Sequence, residues 1–246
     1  MGNCCETKNN NPQNENNAFH QGPIDNYILA EIDIKDDDVN KDIRIIDSYE
    51  EYYKYWDFRQ FNEEKSNEEE IEQCEITINN QLIPFSYFYN FKSKGKYTIK
   101  YSFKNMLTRT NCMFYECQYL TKLDFSHFNS KNVSTMEFMF SDCVSLTDIN
   151  FSNFNTQNVT NMNSMFFGCQ SLTTLDLSSF DTKKVTIMYC MFEGCKSLTH
   201  LNLSNFNTQS VDLFDMEDMF EDCDSLLNQN IICNDEKLKY VIQFWK

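Results

Sequence analysis

A 26-residue period constrains this chain more than any other feature. Met-Phe pairs begin at Met113, Met139, Met165, Met191 and Met219, and cysteines follow at Cys117, Cys143, Cys169, Cys195 and Cys223. A unit that short cannot bury an apolar face by itself, so successive units must stack on one another. Between the pairs recurs a second block: Leu120, Leu123, Phe125, Phe128; Leu146, Ile149, Phe151, Phe154; Leu172, Leu175, Leu177, Phe180; Leu198, Leu201, Leu203, Phe206. In Leu-x-x-Leu-x-Leu the last two apolar residues lie two apart, which puts both on one face of a short strand. Val159, Met162, Met165 and Phe166 then step by three, three and one, the spacing of one helix face. Thr160 and Thr186 stand where N-caps would, and Gly168 and Gly194 where left-handed residues would end two-turn helices. Each repeat is therefore expected to be strand, turn, helix. The fold class that follows is a right-handed α/β leucine-rich-repeat solenoid with its parallel sheet on the concave side.

The run Met165-Phe166-Phe167-Gly168-Cys169-Gln170-Ser171-Leu172-Thr173-Thr174-Leu175-Asp176-Leu177-Ser178-Ser179-Phe180-Asp181-Thr182 resembles the BspA-type leucine-rich repeat, the bacterial surface protein 26-residue repeat. The resemblance covers about residues 105–233. It implies a recognition domain without enzymatic activity, in some relatives an adhesin displayed outside the cell. This chain looks more like the cytosolic members of single-celled eukaryotes.

Residues 25–104 lack the period and are expected to form a small α+β cap domain. Tyr27–Ile34 and Ile43–Ile46 read as strands around the acidic turn Asp36, Asp37, Asp38. Ser48 and Glu51 make a capping box for a helix whose Tyr49, Tyr52, Tyr53 and Trp56 share a face. After a charged loop near Asn67–Glu70, the segments 75–78, 85–91 and 97–103 alternate like half-buried strands. The order ββαβββ suits a small mixed sheet, a ubiquitin-like β-grasp being one arrangement that satisfies it. Lys96, Lys100 and Lys104 fall on one face of the last strand, as on an edge strand protected by lysine. At the other end, Asn234 is placed to cap a helix over 234–246 whose stripe of Leu238, Val241, Ile242 and Trp245 closes the repeats.

Thirty-seven acidic against 21 basic residues give a net charge of -16, which opposes binding of nucleic acid. A mean hydropathy of -0.56 accompanies the absence of any apolar run long enough to cross a bilayer. Residues 1–24 read as a disordered tail. Gly2, Cys4 and Cys5 resemble the myristoylation and palmitoylation sites of peripheral signalling proteins, although Glu6 stands at the usual hydroxyl position. No secretory signal is recognised, so the expected location is the cytoplasmic side of a membrane, as a lipid-anchored peripheral protein.

Chemistry is sparse. Eleven cysteines include no Cys-x-x-Cys, and only His20, His127 and His200 offer imidazoles, so no metal site and no cofactor are expected. The repeated cysteines read as small core residues. Acidic residues crowd the fifth repeat from Asp212 to Asp224 without the spacing of a calcium loop. No nucleophile or paired acid accompanies His200, so no enzyme is expected. Outward strand positions instead form three polar columns: Lys122, Asp148, Thr174 and His200; Asp124, Asn150, Asp176 and Asn202; Ser126, Ser152, Ser178 and Ser204. They are the expected partner-binding residues of a monomeric, non-catalytic protein-interaction module or scaffold. The alternative is a BspA-type cell-surface adhesin exported by a non-standard route, which could carry glycans at the sequons of Asn132, Asn150, Asn158 and Asn202.

Overall fold

A computed structural model describes residues 26–55 and 65–245. The elements are β1 (Tyr27–Ile34), β2 (Asp42–Arg44), α1 (Tyr49–Tyr55), α2 (Glu68–Glu72), β3 (Glu75–Ile78), β4 (Gln81–Ile83), β5 (Phe88–Asn90), β6 (Gly95–Ser102), β7 (Leu120–Asp124), β8 (Asp148–Asn150), β9 (Thr174–Asp176), β10 (His200–Leu203), β11 (Ile231–Cys233) and α3 (Glu236–Phe244). Six strands form one sheet in the order β4-β3-β6-β1-β7-β8, three form a second in the order β11-β10-β9, and β2 pairs with β5. Only β7-β8 and the second sheet are parallel.

The expectation of an α/β leucine-rich-repeat solenoid is overturned. The regular structure of the described residues is mostly strand, in antiparallel and mixed sheets, and α1, α2 and α3 are their only α-helices. None of the three lies within 105–233. The backbone of the Met-Phe segments shows why. In the second repeat the N–H groups of Phe138, Phe140 and Asp142 donate to the carbonyls of Asn163, Met165 and Phe167 in the next repeat, at 2.9, 2.9 and 2.7 Å. The intervening N–H groups of Met139, Ser141 and Cys143 close four-residue turns onto the carbonyls of Met136, Phe138 and Phe140. Alternate peptides thus point toward the neighbouring repeat, whereas every helical N–H points along its own axis. The alternation requires two left-handed residues per repeat, Phe138 and Asp142 (φ 55° and 58°), then Ser164 and Gly168, then Cys190 and Gly194. A non-glycine residue costs about 1–2 kcal/mol there. Three inter-repeat hydrogen bonds worth about 0.5–1.5 kcal/mol each offset that cost.

Gly168 and Gly194 have the left-handed backbone expected of them, with φ of 67° and 73°, but as turn residues. A Cβ on Gly168 would lie 2.3 Å from Asp142 Oδ1, so the side chain of one repeat occupies the space above the glycine of the next. Thr160 and Thr186 cap no helix; their hydroxyls donate to the carbonyls of Ser134 and Thr160 in the preceding repeats.

Side chains stack with the same period. Phe114, Phe140, Phe166, Phe192 and Phe220 lie ring on ring at 6.1, 5.4, 5.8 and 5.7 Å. Phe128, Phe154 and Phe180 form a second column at 6.1 and 5.9 Å, continued by buried Phe206. The repeated cysteines are buried free thiols. Those of Cys143, Cys169, Cys195 and Cys223 donate to the carbonyls of Phe114, Phe140, Phe166 and Phe192. Fully buried Thr182 accepts from the Asn207 N–H at 2.7 Å and donates to its carbonyl at 3.0 Å, as Thr156 does with Asp181. Asp235 ends that column by accepting from Thr208 and from Leu238 N–H, so Asp235 rather than Asn234 caps α3.

The N-terminal segment differs from the expected order in its pairing. β2 turns away from β1 to pair with β5, and the charged stretch near Asn67 folds as α2. All pairings among β1, β3, β4 and β6 are antiparallel, where a mixed sheet was expected. β6 is central, flanked by β1 and β3, so its lysines protect no edge. Lys100 instead lies over the Tyr27 ring at 3.9 Å and Lys104 pairs with Glu75 at 2.7 Å. The Ser48 hydroxyl accepts from Glu51 N–H, but Ser48 N–H donates to Asp47 and not to Glu51, so only half of the expected capping box forms; Tyr49, Tyr52 and Tyr53 of α1 pack with Cys112, Tyr115 and Phe138. Trp56 lies outside the described residues. Because β1 pairs with β7, the first repeat extends the N-terminal sheet, and one apolar core runs through both.

Candidate functional site

Strand alternation sends Leu123, Leu175, Leu201 and Leu203 inward and leaves their neighbours facing out. The ladder register aligns those neighbours: Lys122 opposite Asp148, Asp124 opposite Asn150, His200 opposite Thr174, and Asn202 opposite Asp176. Lys122, Asp148, Thr174 and His200 are exposed, forming the first of the expected columns. The columns are nevertheless divided, because β8 and β9 belong to different sheets.

The second column is partly consumed by the fold. Asp124, Asn150, Asp176 and Asn202 each accept from the backbone N–H two residues on, at Ser126, Ser152, Ser178 and Ser204, over 2.9, 2.9, 2.9 and 3.1 Å. These Asx turns reverse the chain at each strand end. Asn150 also donates to Asp124 at 2.9 Å. The hydrogen bonds from Ser178 hold the Asp176 carboxyl below the usual carboxylate range. The first column carries less of this internal bonding: Lys122 meets Glu31 of β1 at 3.6 Å, and His200 Nδ1 lies 3.0 Å from the Thr199 hydroxyl.

A groove of about 410 Å³ opens where the outward faces of β9 and β10 meet Gln229, Asn230 and Ile232. Thr174, Asp176, His200 and Asn202 line its other side. Ile232 pairs with Asn202 in register and is 58% exposed, which extends the second column with an apolar residue. Gln229, Asn230 and Ile232 fall outside the three expected columns, since the fifth repeat inserts residues before its strand. The available signal was Ile231-x-Cys233, five residues after Leu226 where earlier repeats step by three.

The buried contact between Arg44 and Asp47 is the other notable polar feature. Asp47 is fully buried, with Oδ1 2.8 Å from Arg44 and 2.9 Å from Ser48 N–H. Burial outweighs the pull of Arg44 and that hydrogen bond, and pushes its carboxyl up to about 8. Its own N–H donates to the Met113 carbonyl at 2.8 Å, so it joins the corner before α1 to the first repeat. Being sealed from solvent, it has a structural role. Among the described residues no three His, Cys, Asp or Glu side chains converge as a metal site, and no helix is long and apolar enough to cross a membrane. Gly2, Cys4 and Cys5 lie outside the described residues.

A family model described as "Mycoplasma protein of unknown function, DUF285" matches residues 108–234, the span of the repeats. Neither a curated protein nor a solved structure matches the chain.

Proposed function

The chain belongs to the DUF285 family, and we propose that it is a non-catalytic protein-interaction module whose outward strand face holds a segment of a partner protein. The observation that carries this reading is the groove at β9, β10 and Ile232, where exposed Thr174 and His200 stand beside an exposed apolar side chain on a rigid stack of strands. Such a surface combines hydrogen bonding with an apolar anchor, the mixture that peptide grooves use. The resemblance to BspA-type repeats points to recognition as well. Acylation at Gly2 with Cys4 or Cys5 would hold the module at the cytoplasmic face of a membrane; one myristoyl chain binds only marginally, so the second signal is required.

The test is a proximity-labelling survey with a Thr174→Ala, His200→Ala, Ile232→Ser variant whose folding is checked by a melt. Loss of specific partners from the folded variant is expected, and an unaltered partner list would refute the site. Intact mass of the native protein tests the anchor. Myristate and thioacyl chains are expected, whereas glycans would overturn the cytoplasmic location.

A further inference from the structure

We propose that the last repeat carries a second docking site, an acid-rimmed apolar groove that takes an extended, lysine- or arginine-bearing segment of a partner protein. α3 closes only part of the stack. Asp235 and Lys237 bond to Thr208 and Val211, and Leu238 and Ile242 are buried, which covers the threonine side. Over the Met-Phe turn of the fifth repeat there remains a groove of about 560 Å³. Leu213, 53% exposed, stands on one wall, and Tyr240 and Phe244, 56% and 63% exposed, on the other.

The backbone of Asp218, Phe220 and Asp222, which line this groove, decides what kind of segment fits. In the fourth repeat the N–H groups of Cys190, Phe192 and Gly194 donate to the next repeat's carbonyls, at Glu217, Met219 and Glu221. The corresponding N–H groups of the fifth repeat, on Asp218, Phe220 and Asp222, have no acceptor among the described residues. Three alternate donors therefore face the direction in which another repeat would stack. A helix cannot answer them, because its carbonyls are already bonded along its own axis. An extended segment can, since one of its edges presents a carbonyl at every second residue.

The rim selects the charge. Glu217, Asp218, Glu221 and Asp222 border the groove, and no lysine or arginine occurs from Ser197 to Glu236. Asp218 hydrogen-bonds with Glu221 and raises its pKa, a sign of crowded carboxyl groups. A second copy of the chain is the poorer occupant, because the opposite end of its stack is filled: the Asn111 and Met113 carbonyls accept from Asn67 and Asp47. Its net charge of -16 also opposes approach.

The experiment uses the full chain and a fluorescein-labelled peptide of about ten residues alternating valine and lysine, with a helix-forming leucine-lysine peptide of equal charge as control. Anisotropy should show the extended peptide binding at least about tenfold more tightly than the helical one. Leu213→Ser with Phe244→Ser should weaken it by a similar factor, and Glu217→Gln with Glu221→Gln should flatten its salt dependence. Hydrogen exchange followed by NMR should find the amides of Asp218, Phe220 and Asp222 fast in the free protein and slowed by the extended peptide. Absence of binding, equal binding of the helical peptide or by the serine variant, or binding that leaves the three amides fast would each overturn the proposal. So would a sedimenting dimer in which they are slow without peptide.

Discussion

Replacing Thr182 by valine keeps the shape of a fully buried side chain and deletes only its hydroxyl. That hydroxyl serves both polar groups of the Asn207 peptide, accepting from its N–H at 2.7 Å and donating to its carbonyl at 3.0 Å. Each group left unsatisfied in a buried place costs about 1–3 kcal/mol. Because Asn207 is only half-buried, water reaches part of the site and the lower end of that range applies. Thr182→Val should thus cost about 2–3 kcal/mol in total. Thr182→Ser keeps the hydroxyl and loses one methyl, about 1 kcal/mol. Urea unfolding monitored by tryptophan fluorescence compares the two, and the comparison is valid if both keep the wild-type m-value. A valine variant as stable as the serine variant would refute the argument that the threonine column bonds one repeat to the next.

Four further substitutions follow from the same geometry. Gly168→Ala should cost at least about 1–2 kcal/mol in thermal melts, since it combines a left-handed backbone with a contact against Asp142, whereas a neutral result would remove the inter-repeat contact. Phe180→Ala, within its buried column, should cost about 3–5 kcal/mol in urea. Asp176→Ala should cost about 1 kcal/mol through its lost Asx turn, and equal losses would mean inverted strand faces. Asp47 supplies a pH signature, because a carboxyl raised to about 8 when folded contributes stability that is full below its unfolded value of 3.8. That contribution is lost as pH rises from about 4 to about 8. The stability difference between wild type and Asp47→Asn should drift in that direction by more than about 1 kcal/mol over the window, and a flat difference would show that Arg44 keeps Asp47 ionised throughout.

The period, the strand positions and the inward residues were legible because they depend on which side chains avoid water. Met162, Met165 and Phe166 are buried as their spacing required. A two-turn helix and a run of four-residue turns bury the same steps of three and four, however, and differ only in where the backbone N–H groups go. No side-chain pattern records that. The stripe of Lys96 and Lys100 marked the outer face of β6 correctly, but a strand's neighbours are chosen by the rest of the chain, so its central place was not legible. For the candidate site, alternation located the exposed columns. It could not separate Asp176, occupied by its own turn, from Thr174 beside it. The groove's far wall was missed because the fifth repeat breaks the period just before Ile231.

Far-ultraviolet circular dichroism tests the stacking of non-helical repeats, from which both docking surfaces take their shape, most directly. With helices of seven, five and nine residues described, the expected α-helix content is about a tenth of the chain. A two-turn helix in each of the five repeats would raise it to about a quarter. A spectrum dominated by sheet and turn, with a helical fraction near the lower figure, is predicted; a fraction near the higher one would contradict the inter-repeat bonding of the Met-Phe turns.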